Sequence, residues 1–148
     1  MAAGMVFRIV VGVDGSDSSL AALDWALEEA RLRSGEVYVV TAWHYPVIGD
    51  AAGRAEDHEA FGDNARSVHA DALRRASETG VEVTGAVTEG HPAEVLLKAA
   101  TGADLLVVGS RGHGGFAGML LGSVSSHAVH HAHCPVLVVR SGADTDQG

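Results

Sequence analysis

Five short apolar runs, separated from one another by stretches with helical spacing, constrain this chain more than any other feature. The runs are Phe7–Val13 (FRIVVGV), Val37–Ala42 (VYVVTA), Val81–Val87 (VEVTGAV), Leu105–Val108 (LLVV) and Val136–Arg140 (VLVVR). Strands of a parallel sheet are covered on both faces, so they read as nearly continuous β-branched runs. The third run alternates, as a strand near a sheet edge can. A first helix starts at Ser16 or Asp17, either of which could cap it. It places Leu20, Leu23, Leu27 and Ala30 on one face and closes at Gly35. A second runs from Asp57 to Glu78 with a stripe of Phe61, Ala65, Val68, Ala72 and Ala76, and Gly80 ends it. Pro92 suits the first position of a third, which uses Val95, Leu96 and Ala99 and stops near Gly102. A fourth spans Ser123 to His133, where Pro135 breaks it.

The resulting order, β-α-β-α-β-α-β-α-β, implies right-handed crossovers and a parallel sheet with helices on both faces. In such sheets ligands bind beyond the carboxyl ends of the strands, where strand order reverses. Those ends carry Asp14-Gly15-Ser16, Thr41-Ala42-Trp43, Gly90-His91-Pro92 and a glycine-rich loop after Val108. Residues 44–56 have no period and carry Pro46, Gly49 and Gly53, which reads as a loop. No repeat or linker interrupts the 148 residues, so one domain is expected, with an ordered core over about 6–141 and a frayed tail over 142–148.

Composition excludes several function classes. The net charge of −9 and the single lysine, Lys98, argue against a nucleic-acid partner, because such binding neutralises phosphates with Lys and Arg. No apolar stretch approaches the roughly 18 residues of a membrane span, and the N-terminus lacks the basic leader of a signal peptide. The one cysteine, Cys134, fits a reducing, cytoplasmic location. It precedes Pro135 and an apolar run, so inert packing is expected of it.

The segment GSRGHGGFAGMLLGSVSS, residues 109–126, concentrates glycine where glycine is costly. From Leu105 to Val139 there is no carboxylate, and Arg111 is the only formally charged side chain. That pattern suits an anion. A P-loop would need a lysine inside the segment, which is absent. Gly112, Gly114 and Ala117 satisfy GxGxxG/A formally, yet they follow the fourth strand and no acid lies about 20 residues on to hold a ribose. The pattern G-x2-G-x9-G-[ST] is met at every position by Gly109, Gly112, Gly122 and Ser123.

On that loop, and on the collinear segments IVVGVDGS, EGHPAEVLLKAA, ADLLVVGSRG, LLGSVSS and CPVLVV, the chain resembles the ATP-binding branch of the universal stress protein family. The resemblance implies a Rossmann-like, adenine nucleotide α-hydrolase-like α/β fold: an open twisted five-stranded parallel sheet, strand order 3-2-1-4-5. It implies an ATP site in which loop amides and hydroxyls wrap the phosphates, with Mg2+ or Mn2+ bridging them. Gly109 and Gly112 would let backbone approach the anion, while Gly122 and Ser123 open a helix whose N-terminus favours negative charge. Asp14 would hydrogen-bond adenine or ribose with Gly12 and Val13 beside it. Ala42 would line the base with Val108 nearby, and Val124 and Ser125 would add phosphate contacts. Arg111 either reaches the phosphates or is solvated. Relatives are commonly homodimers joined through the last strand, here Val136–Arg140, and are linked to survival under stress.

Other readings stand beside these. Asp14 could serve the turn alone and Ser123 could be a helix N-cap. Trp43 and Tyr45 either stack on a base or anchor their loop. His127, His130, His131, His133 and Cys134 form a cluster in which His127 and His131 could share a helix face, but His130 and His131 point in different directions and no partner ligand is evident elsewhere. No dedicated metal site is therefore expected, and adventitious nickel or zinc binding accounts for the cluster better. The loop region offers neither carboxylate base nor lysine, so ATP hydrolysis is expected to be slow or absent. A nucleotide-dependent regulator is the leading reading. A weak ATPase, a cyclic AMP binder, an adenylating enzyme built on the serines after Asp14, and a structural protein without ligand are the alternatives.

Overall fold

The computed structural model describes residues 5–45, 55–111 and 121–141. The nine expected elements are present: β1 (Arg8–Gly12), α1 (Asp17–Arg33), β2 (Glu36–Trp43), α2 (Ala55–Ser77), β3 (Glu82–Glu89), α3 (Pro92–Ala99), β4 (Leu105–Gly109), α4 (Ser123–His131) and β5 (Val136–Val139). The strands form one sheet in the order β3-β2-β1-β4-β5, every neighbouring pair parallel. This is the expected topology. The tail after residue 141, residues 46–54 of the expected loop, and Gly112 with the spacer glycines lie outside the described residues.

Successive strand residues point to opposite faces, so the apolar runs supply two cores at once. Ile9, Val11, Val37, Val39 and Val107 pack under Leu23, Ala26 and Leu27 of α1 and Ala72 and Ala76 of α2. Val10, Val40, Leu106 and Val108 face the other way, onto Leu96 of α3 and Ala128 of α4. Ile9, Val10 and Val11 of central β1 are fully buried, each such side chain contributing about 1.5–3 kcal/mol at most. At the sheet edge, β3 keeps Glu82, Thr84 and Thr88 exposed, which explains its alternation.

Element ends differ in instructive ways. Ser16 caps α1, accepting the Ser19 N–H. The other end turns on Ser34, whose left-handed backbone (φ 52°) precedes Gly35. The start of α2 is at Ala55 rather than Asp57, and α4 stops at His131 because Ala132 is extended. Among the described residues no helix is long and apolar enough to cross a membrane.

Candidate functional site

β1 and β4 lie side by side, yet the chain leaves β1 toward β2 and leaves β4 toward β5. Their exit loops therefore diverge and open a crevice at the carboxyl edge of the sheet. On the β1 side, Asp14 Oδ1 accepts hydrogen bonds from the Ser16 N–H (2.9 Å) and the Ser16 hydroxyl (2.5 Å). Gly15 between them has φ 88°, a left-handed conformation that glycine adopts without strain. The Asp14 N–H reaches Ser19 Oγ (3.2 Å), whose own proton goes to the Ser16 carbonyl (3.0 Å). This self-bonded turn fixes the Asp14 carboxylate at the mouth of a cleft.

The same turn grips the start of the glycine-rich loop. Ser18 Oγ donates to the Arg111 carbonyl and accepts the Arg111 N–H (3.3 Å), and Ser16 Oγ lies 3.4 Å from that carbonyl. Gly109 is bare for a packing reason: a Cβ there would sit 2.6 Å from Ser18 Oγ and 2.7 Å from the Ser18 carbonyl carbon. The loop's other end is pinned as well. The Gly122 N–H donates to the Ser110 carbonyl (2.6 Å), and the buried Ser125 hydroxyl lies within 3.1 Å of the Ser110 and Gly122 carbonyls.

Gly122, not Ser123, is the N-cap of α4. Its backbone is extended and its carbonyl accepts the Ser126 N–H at 2.9 Å, which makes Ser123 the first helical residue. A glycine cap offers no side-chain acceptor to the amides of Ser123, Val124 and Ser125, and no acidic residue lies in the first turn. The positive end of α4 is thus unneutralised by its own cap. Val124 packs inward and Ser125 is buried, so these two residues present backbone rather than side chains.

A cleft of about 220 Å3 adjoins this edge, lined by Asp14, Thr41, Ala42, Trp43, His44 and Pro92 and by Phe61, Asn64, Ala65 and Val68 of α2. Of the residues expected at a base, Asp14 and Ala42 line it. Val13 and Val108 do not present side chains there: each is 2–3% exposed and belongs to a core, and the Val13 N–H is bonded to the Val40 carbonyl (2.9 Å). Gly12 lies against Leu96, whose methyls would be 2.8–2.9 Å from a Cβ.

Trp43 lines the cleft, and both it and Tyr45, expected to stack on a base or anchor their loop, pack against rings of α2. Sequence patterning did not single out His58, His69 or Glu89 around the cleft. Trp43 meets His58 edge-on (centroids 4.9 Å), and Tyr45 meets Phe61 likewise (5.1 Å). His58 Nε2 lies 2.7 Å from Glu89 Oε2, tying α2 to the end of β3. His44 stacks on His91 at 5.7 Å. Beneath the cleft, Thr41 Oγ1 lies 3.2 Å from Nδ1 of buried His69, and burial holds that imidazole below its usual pKa.

The sequence and fold have counterparts among known proteins. The model of the universal stress protein family matches residues 5–140. A universal stress protein of Mycolicibacterium smegmatis is 38% identical over 134 residues, covering 89% of this chain and 45% of that protein. The chain spans less than half the length of the curated relatives it matches. A crystal structure of a universal stress protein in complex with cAMP superposes with a TM-score of 0.70 at 30% identity, covering 91% of this chain and 97% of that one. The Archaeoglobus fulgidus universal stress protein in complex with dAMP gives 0.68 at 27% identity, covering 91% and 99%. With the family model matched across nearly its whole length, this chain belongs to the universal stress protein family.

Proposed function

We propose that this chain binds an adenine nucleotide, ATP with Mg2+ or Mn2+, and acts as a cytoplasmic, nucleotide-dependent regulator in the stress response, with slow or no hydrolysis. One observation carries the reading: the Asp14–Ser19 turn lines the base-sized cleft through Asp14 and holds the start of the loop before α4 through Ser18. A single rigid turn thereby joins a seat for base and ribose to a seat for phosphates. The cleft is smaller than the roughly 300–1,000 Å3 that enclose whole drug-sized ligands, which suits a base and sugar whose phosphates extend outside it.

The phosphates fit the α4 N-terminus, where first-turn amides meet no side-chain cap and the helix dipole favours an anion. In this reading Gly109, Arg111, Gly112, Gly122 and Ser123 frame the phosphates, with the amides of Val124 and Ser125. Gly12, Val13 and Val108 support Asp14 and Ala42 from behind. Bound Mg2+ or Mn2+ would neutralise and bridge the phosphate oxygens. The absence of any carboxylate between Leu105 and Val139 deprives the loop of a carboxylate base to activate water. The whole chain is proposed as one domain that pairs with a second copy through β5. The relatives crystallised with cAMP and dAMP favour a second reading, a monophosphate ligand in the same seats.

Calorimetric titration of the nucleotide-free protein with Mg-ATP, AMP, cyclic AMP and GTP, with phosphate release assayed in the same samples, tests this. Expected are saturable adenine-nucleotide binding, weaker GTP binding and little released phosphate. Gly122→Val, which sets a branched side chain over the α4 amides, should weaken binding at least tenfold, about 1.4 kcal/mol. A folded protein that binds no adenine nucleotide overturns the proposal.

A further inference from the structure

We propose that α4 carries a two-histidine site for a divalent transition-metal ion of the Zn2+, Ni2+ or Cu2+ class, formed by His127 and His131. The two residues stand four apart on the helix, both exposed, with ring centroids 4.4 Å apart and planes inclined by 35°. Two imidazole nitrogens bound at about 2.0–2.1 Å to one ion lie roughly 3.0–3.4 Å from each other. Rotation about χ2, a soft torsion in histidine, brings rings at this separation into that range.

Two neighbouring donors in the segment, His130 and Cys134, are otherwise disposed. His130 Nδ1 lies 2.7 Å from the Ser126 carbonyl of its own helix. Burial pushes the Cys134 thiol up, away from the thiolate that ligates metals. No carboxylate lies between Leu105 and Val139, and among the described residues no three His, Cys, Asp or Glu side chains converge. Water therefore completes the coordination shell. Imidazole donors select a borderline transition ion over Mg2+ or Ca2+, and the net charge of −9 concentrates cations around the molecule. An ion bridging one turn also clamps a helix of only 9 residues, too short to be stable alone.

The site is independent of the nucleotide reading, and its test uses the metal alone. Titration of the wild-type protein with NiCl2 and with ZnCl2 should give one ion per chain and raise the melting temperature. Loss of at least tenfold in affinity, with no melting shift, is expected for both His127→Ala and His131→Ala. His130→Ala, His133→Ala and His44→Ala should bind as the wild type does. Circular dichroism establishes that each variant is folded. Binding that survives His127→Ala, that is lost as fully in His133→Ala or His44→Ala, or that never saturates at one ion per chain overturns the proposal.

Discussion

His69 sits 7% exposed on the inner side of α2, with Thr41 Oγ1 on one ring nitrogen and Gly85 against the other edge. A Cβ at Gly85 would stand 2.6 Å from His69 Cε1, so the glycine makes room for the ring. Burial disfavours the imidazolium and lowers the folded-state pKa below the ordinary 6.5. Below pH 6.5 the unfolded chain takes up this proton before the folded one does. The contribution is thus fully present above that pH and is lost as pH falls. Urea denaturation between pH 7.5 and 5 should show wild-type stability declining, His69 adding at most about 1.4 kcal/mol per pH unit. In His69→Gln, which can still reach Thr41, the decline should be shallower. Equal slopes would show that His69 titrates alike in both states. Because Thr41 also lines the cleft, this residue links acid stability to the floor of the candidate site. A helical stripe of Ala65, Val68 and Ala72 reveals the buried face of α2, but it does not announce that a histidine shares it. That depends on Gly85 leaving a space on β3.

The N-terminal turn of α1 is the element on which the candidate site depends. Removing the Ser18 hydroxyl, whose residue is 4% exposed, takes a partner from both the carbonyl and the N–H of Arg111. Ser18→Ala should cost about 0.5–1.5 kcal/mol, as expected when part-buried backbone groups lose a hydrogen bond. It should also weaken adenine-nucleotide binding, since the loop entry is no longer held beside Asp14. The urea midpoint and calorimetric titration read these separately, and an unchanged affinity would detach the turn from the loop's function. Much of the architecture was legible beforehand because parallel strands buried on both faces require continuous apolar runs, and FRIVVGV or LLVV offer little else. The loop glycines were legible as a spacing, but the reason for Gly109 was not. Its neighbour Ser18 is remote in sequence, and only the folded chain brings α1 onto the end of β4. The available signal was DGSDSS, which holds more serines than one helix cap uses. Phe61 illustrates the opposite error: its helical phase suggests core, yet it is 43% exposed and forms part of the cleft wall beyond the strands.

For the whole molecule, the decisive feature is the outer edge of β5, which no other strand pairs among the described residues. The order β3-β2-β1-β4-β5 leaves β5 at an edge, and all four of its residues are only partly buried. Such an apolar edge invites another strand. The Leu106 N–H donates to the Pro135 carbonyl (2.9 Å) and the Ser110 N–H to the Val139 carbonyl (2.8 Å), so odd-numbered residues face β4. Alternation along the strand turns the main-chain groups of Val136 and Val138 toward the open edge. Val138→Pro therefore removes an outward N–H while leaving the β4 pairing in place. Proline is tolerated at such an edge, and the extended backbone it demands of the preceding residue suits Leu137 in a strand. Sedimentation velocity should find the wild-type protein dimeric and Val138→Pro monomeric at the same concentration, with the variant's far-ultraviolet circular dichroism unchanged. A dimer that persists in Val138→Pro would move the contact away from the main chain of this edge. A monomeric wild type would mean that the β5 edge is kept from pairing, and the proposed homodimer would fall with it.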